Sequence, residues 1–177
     1  MKYLIYFVVI ILLVGINAGM FSYLKIAGAA PNLVFLLVIF FALDKENYDF
    51  IFLAFCGGLF LDFFSGGPFG GFTLILLLTG FLLRLLANRL LISETNWKYL
   101  AAVLAGVVFI SGVILKLYGV AVFKLGWPGQ YPDFQIFSSR FFPEYLYNLL
   151  LMYPVYRLAK FLKYIDVNFL NRQRNMV

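Results

Sequence analysis

Histidine is missing from this chain, cysteine occurs once, and charged residues make up only 12% of the 177 positions. With Cys56 as the sole thiol, an internal disulfide is impossible, and the usual His/Cys metal clusters and Cys/His nucleophile pairs are missing too. Cys56, beside Gly57, reads as a small packing residue, because free cysteine is commonly buried. Ser65 has no histidine or well-placed base to activate it, and one carboxylate, Asp62, is not an acid/base pair. The glycine-rich stretch after Asp62 lacks the Gly-Lys-Ser/Thr ending of a phosphate-binding loop and follows an apolar helix. A proton pump would carry a string of intramembrane charges, which is also lacking. These absences predict a protein that is not an enzyme and holds neither cofactor nor metal.

What the chain has is apolar surface. Its hydrophobic share is 64%, where a soluble domain of this length would be near half apolar and a quarter charged. We therefore expect an all-α integral membrane protein whose residues 1–177 form a single transmembrane domain, without a separate soluble one. The net charge of +6 does not point to nucleic acid. The basic residues sit at predicted helix ends, where they orient a membrane protein and meet anionic headgroups.

A spanning helix needs about 20 apolar residues. On that measure six are predicted, at about residues 3–24, 31–43, 48–64, 69–91, 97–123 and 143–164. The first follows Lys2 as a signal peptide would, but it is too long and lacks a clear cleavage site, so it is expected to be retained. It carries Gly15 and Gly19 with the polar Asn17 between them, a face suited to close helix packing and one inter-helix hydrogen bond. That face serves either the bundle or another membrane protein. Pro31 opens the second helix, and a charged turn from Asp44 to Asn47 closes it. Arg84 and Arg89 are expected to snorkel to the headgroups, and Ser93 to Asn96 to form a polar turn. The longest connection, residues 124–142, is aromatic. Phe134, Phe137 and Phe141 in it recur at a spacing that fits a short interfacial helix.

Lysines and arginines set the orientation. With the N-terminus inside, the cytoplasmic side collects Lys2, Lys45, Arg84, Arg89, Lys98, Arg157, Lys160, Lys163, Arg172 and Arg174. The outer side collects only Lys25, Lys124 and Arg140, so both termini are expected to be cytoplasmic.

Asp62 then falls near the outer end of the third helix, inside the run Cys56 to Phe72 that also holds Ser65, Gly66, Gly67, Pro68 and Gly70. A charge in hydrocarbon costs at least about 2.5–3.5 kcal/mol, so it should face the protein interior and have a partner. Lys116, roughly 18 residues and about 27 Å along the fifth helix, reaches the same level, as do Arg140 and Glu144. Asp62 either pairs with Lys116, or failing that with Arg140, or caps the Ser65–Gly67 turn by accepting backbone N–H bonds. The two roles are compatible.

At this motif the chain resembles a known family, the bacterial rod shape-determining protein MreD. Pro31-Asn32-Leu33 is similar to the family's Pro-Asp-Leu, with Asn32 where aspartate often stands. The run from Gly57 through Asp62 and Ser65 to Gly70 resembles its Gly-x-x-x-Asp, Ser and Gly pattern. Pro143 with Asn148, followed by an apolar run to Arg157, resembles its last helix. The resemblance implies a multi-pass protein of the bacterial cytoplasmic membrane. It would act as a scaffold or regulator that binds MreC and works with MreB, RodA and a class B penicillin-binding transpeptidase in lateral peptidoglycan synthesis. It also implies a six-helix arrangement like that of the S components of energy-coupling-factor transporters. The alternative function is therefore a small-molecule-binding vitamin-transporter subunit. The spaced alanines by which S components dock are replaced here by Gly15, Ala18 and Gly19.

The aromatic connection is a second candidate contact surface, since aromatics are enriched at interface hot spots, but it fits an aromatic belt at the headgroups equally well. Replacing Trp127, Phe134 and Phe137 together separates the two. Loss of partner capture at normal membrane insertion is the outcome for a contact surface, and retained capture is the outcome for a belt.

Overall fold

The computed structural model describes residues 2–19, 30–44, 47–65, 69–90, 97–124 and 141–174, with some side chains in the later stretches, including those of Arg89, Lys116 and Glu144, outside the description. Six helices lie in these stretches: α1 (Lys2–Ala18), α2 (Leu33–Ala42), α3 (Asp49–Ser65), α4 (Gly71–Leu90), α5 (Trp97–Lys124) and α6 (Phe141–Arg174). There is no strand among the described residues, in line with the all-α expectation.

The architecture follows from α2. Its sequence, Leu-Val-Phe-Leu-Leu-Val-Ile-Phe-Phe-Ala, is apolar on every face, and all ten residues are buried. A helix that is hydrophobic all round belongs in the middle of a bundle. Here α2 packs against α1, α3, α4 and α6, while α5 closes the side between α4 and α6. The α3–α4 contact is the most extensive in the molecule. It is close because Gly58 presents no side chain to the backbone of Thr73, and on the neighbouring face Gly57 admits Val34 of α2.

The surrounding helices turn apolar side chains outward as well as inward. Leu4 is 69% exposed and Leu150 74%, and Phe7, Phe63, Leu78, Phe81 and Leu117 are exposed with them. Outward faces this apolar would aggregate in water and are at home against lipid. One segment among the described residues, Gly71–Asn88, is long and apolar enough to cross a bilayer, with a mean hydropathy of 1.8. α1 and α2 are apolar but shorter, at 17 and 10 residues. At about 1.5 Å per residue, α2 is near 15 Å long, half the ~30 Å hydrocarbon core.

Several sequence expectations change. Arg84 does not snorkel: it is 4% exposed, and its guanidinium lies 4.7 Å from the centre of the Tyr48 ring. The ring face offers the cation a partner inside the fold, so it need not reach for the headgroups. The Gly15/Gly19 face does not join the bundle among the described residues: no neighbour lies within 4 Å of a Cβ built at Gly15. Near Gly19 only the Gly15 carbonyl of the same helix is close. α6 begins at Phe141 and runs through Pro154 to Arg174, past the predicted 143–164. Pro154 is tolerated because it sits on the exposed face, where losing one backbone hydrogen bond displaces no packed neighbour. The expected end of the first helix beyond residue 19, the turn at 93–96, Lys45, and the aromatic stretch with Trp127, Phe134 and Phe137 lie outside the described residues.

Gly58→Ala places a methyl group against the Thr73 backbone, and overpacking of this kind costs about 1–3 kcal/mol. Gly106, with open space at its Cβ, should accept alanine with a change within about 0.5 kcal/mol. Thermal unfolding of the two variants in detergent checks the difference.

Candidate functional site: polar caps at one end of the bundle

α2 begins and ends within a bundle whose outer faces are apolar, so its terminal backbone groups cannot rely on water. Three asparagines from three helices answer those at its N-terminus. Asn32 is the N-cap, in extended conformation, and its Oδ1 accepts from the Phe35 N–H at 3.0 Å. Asn17 of α1 accepts from the Leu33 N–H at 3.3 Å and donates its Nδ2 to Asn32 Oδ1 at 3.3 Å. Asn148 of α6, fully buried, accepts from the Asn32 N–H at 3.1 Å. Asparagine and aspartate are about equally good N-caps, which accounts for Asn32 standing where the resembling family often has aspartate.

Asp62 performs the same task for α4. It is 3% exposed, and its Oδ1 accepts from the Phe72 N–H at 2.8 Å. Its Oδ2 accepts from the Thr73 N–H at 3.2 Å and the Thr73 hydroxyl at 2.7 Å. The residue at the usual capping position is Gly70, whose φ of +95° suits glycine and which has no side chain to cap with. The cap therefore comes from the preceding helix. A carboxylate at a helix N-terminus also meets the positive end of the helix dipole. Asp62 thus caps the start of α4. The expected cap of the Ser65–Gly67 turn falls on residues 66–67, which lie outside the described residues. The Ser65 hydroxyl donates to the Asp62 carbonyl at 3.1 Å.

Two residues in this arrangement were not anticipated. Thr73 sits three positions beyond Gly70, a spacing at which a polar residue at a helix start could have been noticed. Tyr118 of α5 donates its hydroxyl to the Phe69 carbonyl at 2.8 Å and lays its ring against Gly71, and no sequence pattern announces that contact. Of the remaining candidates, Gly66, Gly67, Pro68 and Arg140 lie outside the described residues, as do the side chains of Lys116 and Glu144. The expected ion pair of Asp62 with Lys116 or Arg140 therefore falls there too.

The opposite end of the bundle is where the described charges meet. Lys2 pairs with Asp49 at 3.1 Å, and the Tyr6 hydroxyl donates to the same carboxylate at 3.2 Å. Lys163 pairs with Asp44 at 3.3 Å and donates to the Phe40 carbonyl at 3.3 Å, answering the C-terminal end of α2. No group of three or more Cys, Asp or Glu suited to holding a metal occurs among the described residues. Cys56 is partly buried against the core, as a packing residue would be.

A family model described as rod shape-determining protein MreD matches residues 1–165 of the chain. No curated protein and no solved structure matches it.

Asp62→Ala strands two buried donors on Thr73, each worth about 1–3 kcal/mol when left unsatisfied, and a part-buried one on Phe72, so a loss of several kcal/mol of stability is expected. Asp62→Asn keeps one acceptor oxygen and should lose clearly less. Unfolding in detergent, followed by helical circular dichroism, gives the order wild type, Asn, Ala.

Proposed function

The chain belongs to the rod shape-determining protein MreD family, a helical membrane protein engaged in rod shape determination, and on that premise we propose its part in the process. It is a non-enzymatic scaffold of the bacterial elongation machinery that binds MreC and supports lateral peptidoglycan synthesis. MreB, RodA and a class B penicillin-binding transpeptidase are its partners in the same complex. The observation that carries this reading is the family match over residues 1–165, nearly the whole chain.

The geometry is in keeping with a scaffold. The polar side chains of Asn17, Asn32, Asn148 and Asp62, the last two buried, are engaged with the backbone at helix starts, which ties five helices together and leaves the outward faces to meet partners or lipid. The protein is a multi-pass component of the cytoplasmic membrane with both termini inside. Support for that orientation comes from Lys2, Arg84 and Lys163, which gather at the end of the bundle where α1 begins and α6 leaves. The Asn17–Asn32–Asn148 and Asp62–Thr73 caps are then at the periplasmic end, where they hold the surface that meets MreC.

A tagged copy recovered in mild detergent from its own membranes should bring down MreC together with wall-synthesis enzymes. Asp62→Asn, at matched expression, should weaken that recovery less than Asp62→Ala. Recovery of paired ATPases with a membrane coupling subunit would overturn the scaffold and make the chain a transporter subunit.

A further inference from the structure

α6 turns an exposed stripe away from the bundle, and the stripe holds a charge. Leu150, Pro154, Arg157, Phe161 and Tyr164 follow one another at steps of four and three residues and are all exposed. That alternation is the 3.5-residue period of a helix packed lengthwise against another helix. The opposite side of α6, with Met152, Val155, Ala159 and Leu162, is buried in the bundle, where the helix meets α2 and α5.

The depth of Arg157 follows from the polar levels at the two ends. Fifteen residues separate Lys2 from Asn17 on α1, and fifteen separate Asn148 from Lys163 on α6. On both helices the charged end and the asparagine end are therefore about 22 Å apart. Arg157 lies six residues, about 9 Å, inside the charged end. Its Nε and Nη2 donate to the Tyr153 hydroxyl at 3.1 and 2.9 Å, and the guanidinium carbon stands 5.4 Å from the centre of the same ring. Tyr153 is one turn nearer the asparagine end. The guanidinium is thus drawn deeper, opposite to the direction in which an arginine snorkels to the nearer headgroups.

A phenol accepts hydrogen bonds but brings no negative charge, and no carboxylate pairs with Arg157 among the described residues. A cation at this depth is costly unless an anionic acceptor meets it. Pro154, its neighbour on the stripe, also gives no N–H to the Leu150 carbonyl one turn back.

We infer that this stripe seats a transmembrane helix of another protein that carries a carboxylate at the level of Arg157. With Nε turned to Tyr153, the Nη1–Nη2 edge of the guanidinium fork fits a carboxylate through two parallel bonds. A lipid phosphate lies at the headgroup level, from which the guanidinium is turned away. A second copy of this chain brings no outward acid among the described residues, since Asp49 and Asp62 are buried and Asp44 is paired with Lys163. The inference deepens the scaffold reading, on which it rests, by naming the chemistry of the helix that docks. Its test uses a synthetic peptide, so its failure and a failure to recover MreC are separate results.

The full-length protein, labelled on a C-terminal tag and reconstituted in phosphatidylcholine vesicles, is titrated with labelled leucine–alanine transmembrane peptides, with energy transfer as the readout. One peptide carries a single Glu near its middle, and its counterpart carries Leu there. The Glu peptide should bind about fivefold more tightly than the Leu peptide. Arg157→Gln should abolish that difference and Arg157→Lys should keep part of it, both with unchanged helix content. Phe161→Ala, on the stripe, should weaken the Glu peptide, whereas Leu117→Ala, exposed on α5, should not. Equal binding of the two peptides, an undiminished preference in Arg157→Gln, or equal effects of the two alanine variants would each overturn the docking stripe. Loss of the preference when phosphatidylglycerol replaces phosphatidylcholine would overturn it too, giving Arg157 to a lipid phosphate.

Discussion

A ten-residue helix cannot carry both its ends to water across a bilayer core twice its length, and much of this molecule is arranged around that constraint. α2 is buried on every side, so its first N–H groups and last carbonyls must find partners within the protein. At one end the partners are Asn17, Asn32 and Asn148; at the other, Lys163 reaches the Phe40 carbonyl while holding Asp44. Each of these partners but Asn32 comes from a neighbouring helix. Closing the ends of α2 therefore also ties α1 and α6 to it.

The start of α4 shows the same logic with a charged group. Gly70 allows the chain to reverse sharply but provides no cap, so the carboxylate eight residues earlier takes over. Gly58 brings the two helices close enough for this to work, and the Tyr118 hydroxyl holds the Phe69 carbonyl from the other side. A carboxylate within an apolar helix is thus neither an active-site acid nor an unexplained cost: three donors and a helix dipole receive it.

The two ends of the bundle differ in kind. One is held by neutral amides and a capping carboxylate, the other by ion pairs and by cations against aromatic rings. That division gives the molecule a direction. The aromatic faces that receive Lys2, Arg84 and Lys163 also keep these cations within the fold instead of spread across the headgroups.

The sequence by itself determined the helical class. Apolar content and the breaks at Pro31, Asp44 and Gly66 to Gly70 read directly as helices and turns, because hydrocarbon tolerates little else. It also marked Asn17, Asn32, Asp62 and Asn148, because polar side chains in apolar runs need partners. It did not say which partners. Asn17, Asn32 and Asn148 stand up to 131 positions apart in the chain, and only the packing of α1 and α6 around α2 unites them. Tyr118 and the burial of Arg84 under Tyr48 were beyond reach for the same reason. Periodicity reports which face of a helix is apolar, whereas the identity of the neighbour across that face is settled by the tertiary structure, through close packing and the need to satisfy each buried helix end.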